Sequence, residues 1–246
     1  MAACALVAAG CGAQVHVHVQ RHAVVRPPTH VRTCAAGVRQ LATRTVALAA
    51  VVERPTRAYA RPGRHALARF GLHNVNGVPT VFGVLGEQLD RRCRPAWLHV
   101  ELPMRPNGAT GWVRARDVAV GVVHTRIVVD VSARRLRLYR DGRLVLQSPA
   151  AVGAPKTPTP VGSYYVNQRL VSTDPAGPFG PGAVGVSAFS NVWTGWAQGG
   201  PIGIHGTNEP SSIGRAVSNG CIRLPNPMLR RLFKAALLGT PVVIRR

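Results

Sequence analysis

The sequence predicts a mainly β protein built as two units, and three observations carry that reading. Aromatic residues make up only 5% of the 246-residue chain while glycine (26) and proline (20) are plentiful, a composition that suits short strands joined by many turns. Apolar residues come in brief runs broken by Gly, Pro and Asn, and a single segment shows a sustained helical period. At 46% hydrophobic content the chain can bury one large core or two modest ones, and its length favours two.

The first residues, MAACALVAAGCGAQ, have the outline of an export-signal remnant, with Cys11 where a lipoprotein cysteine would give a membrane anchor. No Lys or Arg precedes the apolar run, so an Ala-rich terminus without function competes with that reading. Residues 12–44 hold four histidines, two successive prolines and no regular period, and read as a solvated linker in preference to a metal tract. Residues 1–44 are thus expected to precede the folded body. Residues 46–121 alternate short apolar runs (VALAAVV, TVFGVLG, AWLHVELP) with turn residues. Over residues 97–102 the alternation has period two, and Pro106-Asn107-Gly108 supplies a turn before Gly111-Trp112-Val113 resumes a strand, the pattern of a hairpin in a small barrel.

Residues 124–246 form the second unit. Strands are expected over 127–131, 136–139 and 143–150, with Asp141-Gly142 as a tight hairpin turn between the last two. Pro155, Pro158 and Pro160 interrupt the pairing, and 164–166 resumes it. STDPAGPFGPGAVGVSAFS reads as a long loop, and loops of that length are commonly functional. Residues 225–238 place Met228, Leu229, Leu232, Phe233 and Leu237 at helical spacing, as core. Residues 241–244 close the chain with a strand. No segment reaches the ~18 apolar residues of a spanning helix.

The net charge of +22 comes from 29 arginines, Lys156 and Lys234 set against 9 acids. Sixteen arginines and 5 acids lie before His124, and 15 basic residues and 4 acids after it, so the charge is spread and not gathered into an arm. A nucleic-acid binder concentrates its charge and adds base-reading groups. No helix-turn-helix, zinc-finger or RNP-like run is present, and nucleic acid is not an expected partner. A diffuse cation suits any polyanion. Five cysteines, Cys4, Cys11, Cys34, Cys93 and Cys221, include no CxxC. Their odd number means that at least one is free or pairs between chains.

From residue 125 onward the chain contains one histidine and one cysteine, His205 and Cys221, in IGIHGTNEPSSIGRAVSNGCIRL. A zinc centre needs three or four ligands, and this unit adds only Asp130, Asp141, Asp174 and Glu209 at spacings of surface turns, so no metal is expected. A cysteine nucleophile needs a proton acceptor, because a free thiol with pKa near ~8.5 is mostly protonated at neutral pH, and imidazole suits that task. Gly220 leaves the backbone beside the thiol uncrowded, so that peptide N–H groups can face a developing oxyanion. Gly206 lets its carbonyl turn toward the imidazole and fix the tautomer. A buried structural cysteine near a satisfied histidine remains an equal reading of these residues alone.

IHGT followed by SIGRAVSNGCIRLPN resembles the active-site signature of the L,D-transpeptidase catalytic domain, in which His-Gly precedes a Ser/Thr-x-Gly-Cys-hydrophobic-Arg or Asn run. PKTPTPVGSYYV and VVDVSARRLRLYRDGRLV agree as well, so the likeness covers nearly all of residues 124–246. It implies a β-sandwich-like domain with one small helix, no cofactor or metal, and an extracytoplasmic place in the cell wall or periplasm. The implied reaction acylates Cys221 with a peptidoglycan stem peptide and passes the acyl group to an amine. Residue by residue it implies Cys221 as nucleophile, His205 as base and the Gly206 carbonyl as its orienting partner. Gly220 and Cys221 would offer oxyanion donors, with Ser218 and Asn219 in the same oxyanion and substrate run. Arg223 would hold a substrate carboxylate or brace the site. Many members carry a second His directly before Gly-Cys, where this chain has Asn219. The diffuse charge then has a partner in anionic wall polymers. WLHVELPMRPNGATGWVRARDV resembles the bacterial SH3-like domain, which makes residues 46–121 an SH3-like barrel. Two rivals stay open: a sortase-type transpeptidase, whose arginine lies far beyond its cysteine, and a non-catalytic wall-binding protein.

Overall fold

The computed structural model describes residues 38–41, 43, 45–195 and 197–246; the expected signal remnant, Cys11 and the four linker histidines lie outside the described residues. Among the described residues two eight-stranded sheets and one α-helix form the body of the protein, the mainly β architecture expected from composition.

The N-terminal unit consists of β1 (Val38–Gln40), β2 (Ala47–Val52), β3 (Thr56–Arg61), β4 (Arg64–Phe70), β5 (Val81–Leu89), β6 (Pro95–Glu101), β7 (Thr110–Arg114) and β8 (Val118–Val123). Its strands run in the order β4-β3-β7-β6-β5-β2-β8, with β1 also beside β5. Strand β1 falls inside the stretch expected to be linker. The reason is the length of β5: β2 pairs only with its first half, and β1 pairs with residues 86–88 of the other half, covering an edge that would otherwise present free N–H and C=O groups. Period-two alternation works as read in β6, where Leu98 and Val100 turn inward against Phe82, Leu102 and Val113.

The second unit consists of β9 (Thr125–Asp130), β10 (Arg135–Arg140), β11 (Arg143–Pro149), β12 (Val152–Gly153), β13 (Gly162–Val171), β14 (Gly182–Phe189), β15 (Pro201–His205), β16 (Ala216–Ser218), β17 (Ile222–Arg223), α1 (Asn226–Ala235) and β18 (Pro241–Arg245). The sheet order is β11-β10-β9-β18-β13-β14-β15-β17, and β12 and β16 form a separate parallel pair. Asp141 and Gly142 both have positive φ, 48° and 77°, the geometry of the tight turn expected between β10 and β11. Two expectations are corrected. Residues 182–189, read as part of a loop, form an inner strand between β13 and β15, with Val184, Val186 and Ala188 buried. Small residues serve there because neighbours approach closely on both sides, and such packing hides strand propensity. The helix also stops at Ala235, with Ala236 already extended, so Leu237 is 50% exposed and not core.

The two units meet at a buried seam. Tyr165 of β13 is 2% exposed and its hydroxyl donates to the Val81 carbonyl at 2.9 Å. Its ring lies where a Cβ on Gly83 would stand, 2.9 Å from the ring carbon, so a larger residue at 83 would push the units apart. Beside it, the Ser187 hydroxyl donates to Glu101 Oε1 at 2.6 Å and accepts from the Tyr165 N–H at 3.0 Å. Ala47, Ala49, Val81 and Val123 complete the seam with Leu238 against them.

Burial raises the Glu101 carboxyl from 4.5 to about 7, the Ser187 hydroxyl pulling it partway back. With the folded value above the unfolded one, the carboxyl's contribution to stability is complete below pH 4.5 and is lost as pH rises through about 7. Thermal melts of wild type and Glu101→Gln across this range should therefore diverge, the variant gaining relative to wild type as pH rises. A pH-independent difference would contradict the burial of this carboxyl at the seam.

Candidate active site

Strands β15 and β17 are parallel neighbours, with Ile204 opposite Ile222 and His205 opposite Arg223. Both isoleucines are fully buried in the core. Alternation along a strand then puts Gly203, His205, Cys221 and Arg223 together on the other face. Continuing the register sets Gly203 against Cys221, and the Gly203 N–H does donate to Cys221 Sγ at 3.4 Å. The thiol in turn points to the Pro201 carbonyl at 4.0 Å. His205 and Cys221 are thus diagonal neighbours on one small ribbon, although sixteen positions separate them in the chain.

His205 is 5% exposed. Its Nδ1 lies 2.6 Å from the Gly206 carbonyl, and since a carbonyl can only accept, Nδ1 carries the proton and Nε2 is left with its lone pair. Phe179 meets the imidazole edge-on at 4.9 Å between ring centroids. That phenylalanine comes from the Gly- and Pro-rich segment before β14, the part of the predicted loop that does remain irregular. Burial lowers the imidazole pKa to about 4, the Gly206 bond opposing and the Arg223 charge adding to the effect. Burial also raises the Cys221 thiol above its ordinary value, with the Gly203 N–H and Arg223 working against it. At rest the couple is therefore neutral thiol and neutral imidazole, and the thiol proton moves only when something else stabilises the sulfur.

The segment before the thiol is held from behind by two threonines to which sequence reasoning gave no role. Thr157 Oγ1 donates to the Ser218 carbonyl at 2.9 Å, and Thr159 Oγ1 donates to the Gly220 carbonyl at 2.9 Å while accepting from the Gly153 N–H at 2.8 Å. Ser218 Oγ donates to the Cys221 carbonyl at 2.6 Å and accepts from the Gly220 N–H at 3.2 Å. Gly220 sits at φ +116°, a conformation that L side chains rarely adopt. The signal for the threonines was present in PKTPTP, whose prolines drew attention to interrupted pairing. Ser218 is thus a brace of the turn, whereas Asn219 is exposed and makes no side-chain hydrogen bond among the described residues.

Arg223 pairs through Nη1 with Glu209 Oε2 at 2.5 Å. Asn226, at the start of α1, accepts from the Thr207 N–H at 2.8 Å and ties the strand after His205 to the helix. No cluster of metal-ligating residues exists among the described residues. Two concavities of about 480 and 490 Å³ lie on the N-terminal unit, one around Leu41, Leu48 and Leu98 and one around Trp97 and Arg114. Neither is lined by Cys221 or His205, and it is the thiol–imidazole chemistry, not cavity size, that locates the candidate site.

Residues 124–244 match the family model described as the YkuD L,D-transpeptidase catalytic domain. A Bacillus subtilis protein named L,D-transpeptidase YqjB is 30% identical over 128 residues, which cover 48% of this chain and 69% of that one. The chain belongs to the L,D-transpeptidase family. The YkuD protein of Bacillus licheniformis is 42% identical over 119 residues, covering 48% of this chain and 64% of its own. For the YkuD protein of Bacillus subtilis the identity is 38% over 120 residues, with 49% and 65% covered. The chain thus spans a little under two thirds of each YkuD protein's length. The L,D-transpeptidase match falls on the second unit, β9 to β18.

A neutral resting couple has a kinetic signature. Alkylation of Cys221 by iodoacetamide should climb with pH through one ionisation above the ordinary thiol value of 9.0. A plateau already reached near neutrality would reveal a standing thiolate–imidazolium pair, which this geometry disfavours.

Proposed function

We propose that the chain is a cysteine L,D-transpeptidase acting on peptidoglycan. The observation that supports this best is the single face shared by the Cys221 thiol and a His205 imidazole whose Nδ1 is tied to the Gly206 carbonyl. In the proposed reaction Cys221 Sγ bonds to the carbonyl carbon of a stem tetrapeptide while its proton passes to His205 Nε2. The oxyanion faces the Cys221 N–H, with the Gly220 N–H joining only if it leaves Ser218 Oγ. Collapse of the tetrahedral adduct breaks the C–N bond, and the imidazolium returns its proton to the leaving amine. An acceptor amine then attacks the thioester carbonyl and gives its proton to His205 Nε2; the C–S bond breaks and the imidazolium passes that proton to the departing sulfur, restoring the thiol and the neutral imidazole. Because both groups rest neutral, proton transfer accompanies attack and does not precede it.

Three further points belong to this reading. Cys93 is disulfide-bonded while Cys221 is free, and disulfides persist in oxidising compartments, which favours an extracytoplasmic place. Residues 46–121 would be an SH3-like unit that holds or orients the wall substrate, and the spread of arginine suits anionic wall polymers. Arg223, freed from Glu209, would meet a substrate carboxylate.

Incubation with a carbapenem should leave a covalent adduct on the Cys221 peptide, and none on Cys221→Ala, by mass spectrometry. An unmodified Cys221 in folded wild type would sink the proposal. Among variants, Arg223→Ala should slow acylation about tenfold through loss of a charge-assisted contact, and Thr159→Val by a similar factor through loss of two hydrogen bonds that shape the turn. Exposed Asn219 should matter least, about threefold or less on change to alanine. Stopped-flow acylation rates test the order, and a collapse confined to Asn219→Ala would reverse the assignment.

A further inference from the structure

Two loops of the N-terminal unit reach across to the connection between β14 and β15, the segment that leads into the thiol-facing strand. From the β6–β7 loop, Arg105 Nη2 donates to two carbonyls at once, Ser190 and Gly199, each at 2.6 Å, and its guanidinium lies 5.4 Å from the Phe189 ring centre. Asn107 mimics a neighbouring strand. Its Nδ2 donates to the Phe189 carbonyl at 2.8 Å, and its Oδ1 accepts from the Phe189 N–H at 2.8 Å. From the β4–β5 loop, Asn76 and Gln198 join side chain to side chain at 2.9 Å, while Asn74 and Asn76 both donate to Gln168 Oε1 at 3.0 and 2.8 Å.

The contacts converge on the base of the connection. The Ser190 N–H donates to the Gly200 carbonyl at 2.8 Å, and Phe189 pairs with Pro201. Arg105 and Asn107 therefore fix the two residues that begin the connection and one that ends it. Directly beyond lie Pro201, whose carbonyl faces the thiol, and Gly203, whose N–H donates to it. The route from the N-terminal unit to Cys221 Sγ is short and made of directional bonds throughout. It also carries a cost: Arg105 Nε is buried without a hydrogen-bond partner among the described residues, which a contact selected for stability alone has no reason to keep.

We propose that Arg105 and Asn107 are positioning residues for Cys221, clasping the β14–β15 connection so that Pro201 and Gly203 hold the thiol in place. The N-terminal unit is then a working part of the site on the second unit. The proposal rests on the transpeptidase reading only for its consequence in acylation; the clasp itself concerns the thiol and its strand.

The test uses the full chain in four versions, wild type, Arg105→Ala, Asn107→Asp and Thr56→Val. Asn107→Asp keeps the shape and removes the donor to Phe189. Thr56→Val removes the hydroxyl bond to Asp117 at 2.9 Å, elsewhere in the N-terminal unit, and serves as the control for general destabilisation. Hydrogen exchange is followed at residues 190–203, Cys221 alkylation by iodoacetamide is followed against pH, and carbapenem acylation is timed. Both clasp variants should lose protection at residues 190–203 about tenfold, and alkylation at fixed pH should slow about fivefold as the Gly203 N–H ceases to hold the sulfur. Acylation should slow with it, and Thr56→Val should change none of the three. Arg105→Lys, which keeps the charge but not the planar fork, should fall between wild type and Arg105→Ala, and it carries the test should either clasp variant fail to fold. Wild-type protection and an unmoved alkylation profile in the clasp variants would overturn the proposal, as would equal effects in Thr56→Val. If wild type takes no carbapenem while exchange and alkylation respond as expected, the clasp stands and the transpeptidase reading falls.

Discussion

The parallel pairing of β15 with β17 is the constraint on which the chemistry of this molecule depends. Two residues on each strand suffice. Because Ile204 and Ile222 are both anchored in the core, the opposite face must bring Gly203, His205, Cys221 and Arg223 together. A slip of one residue in either strand would send the imidazole or the thiol inward and draw an isoleucine out. The apolar core thus sets the register, and the register sets the geometry of the thiol–imidazole face.

Burying the couple has a consequence that its proximity alone would hide. Desolvation moves the two members in opposite directions, the imidazole down to about 4 and the thiol up, and each move favours the neutral form. Arg223 cannot reverse this. Its charge eases the thiol toward ionisation but also discourages a proton on His205, and its own charge is partly met by Glu209. What remains is a couple whose two members both rest neutral. For the proposed reaction the frame behind the turn, Thr157, Thr159 and Ser218, becomes correspondingly important, because donors aimed at a developing oxyanion work only if they need not reorganise.

Legibility in the sequence followed the physics of each element. The Asp141-Gly142 turn was readable because a two-residue hairpin demands positive φ at both positions. Strand β6 was readable because apolar residues fill one face while Trp97, His99 and Glu101 alternate on the other. Strand β14 was not, since it is flanked on both sides and uses glycine, alanine and serine where an exposed strand would use larger residues; Gly182–Phe189 looks like a loop until its neighbours are known. At the site, the single histidine and single cysteine beyond residue 124 stood out by count and by their glycines. Thr157, Thr159 and Phe179 did not, for their roles come from contacts across 61, 61 and 26 positions of chain, and no local pattern encodes those. Arg223 was legible as a charge, and its pairing with Glu209 was not.

The likeness to L,D-transpeptidases begins at residue 124, yet packing does not respect that boundary. A protein surface meant for water does not carry a fully buried tyrosine whose hydroxyl is satisfied by Val81, or a serine poised between Tyr165 and a carboxyl of the neighbouring unit. Taking the N-terminal unit away would return these groups to solvent, so their hydrogen bonds would be replaced by water and little would be lost there. The larger loss would be apolar: Leu238 would forfeit the cover of Ala47, Ala49, Val81 and Val123, and the Tyr165 ring that of Gly83, a term that grows with area at about 25 cal/mol per Å². The hydrogen bonds of the seam therefore fix how the units are oriented, while the apolar patch holds them together. With orientation fixed, the loops carrying Arg105 and Asn107 meet the β14–β15 connection at hydrogen-bonding distance, which a flexibly tethered unit could not sustain.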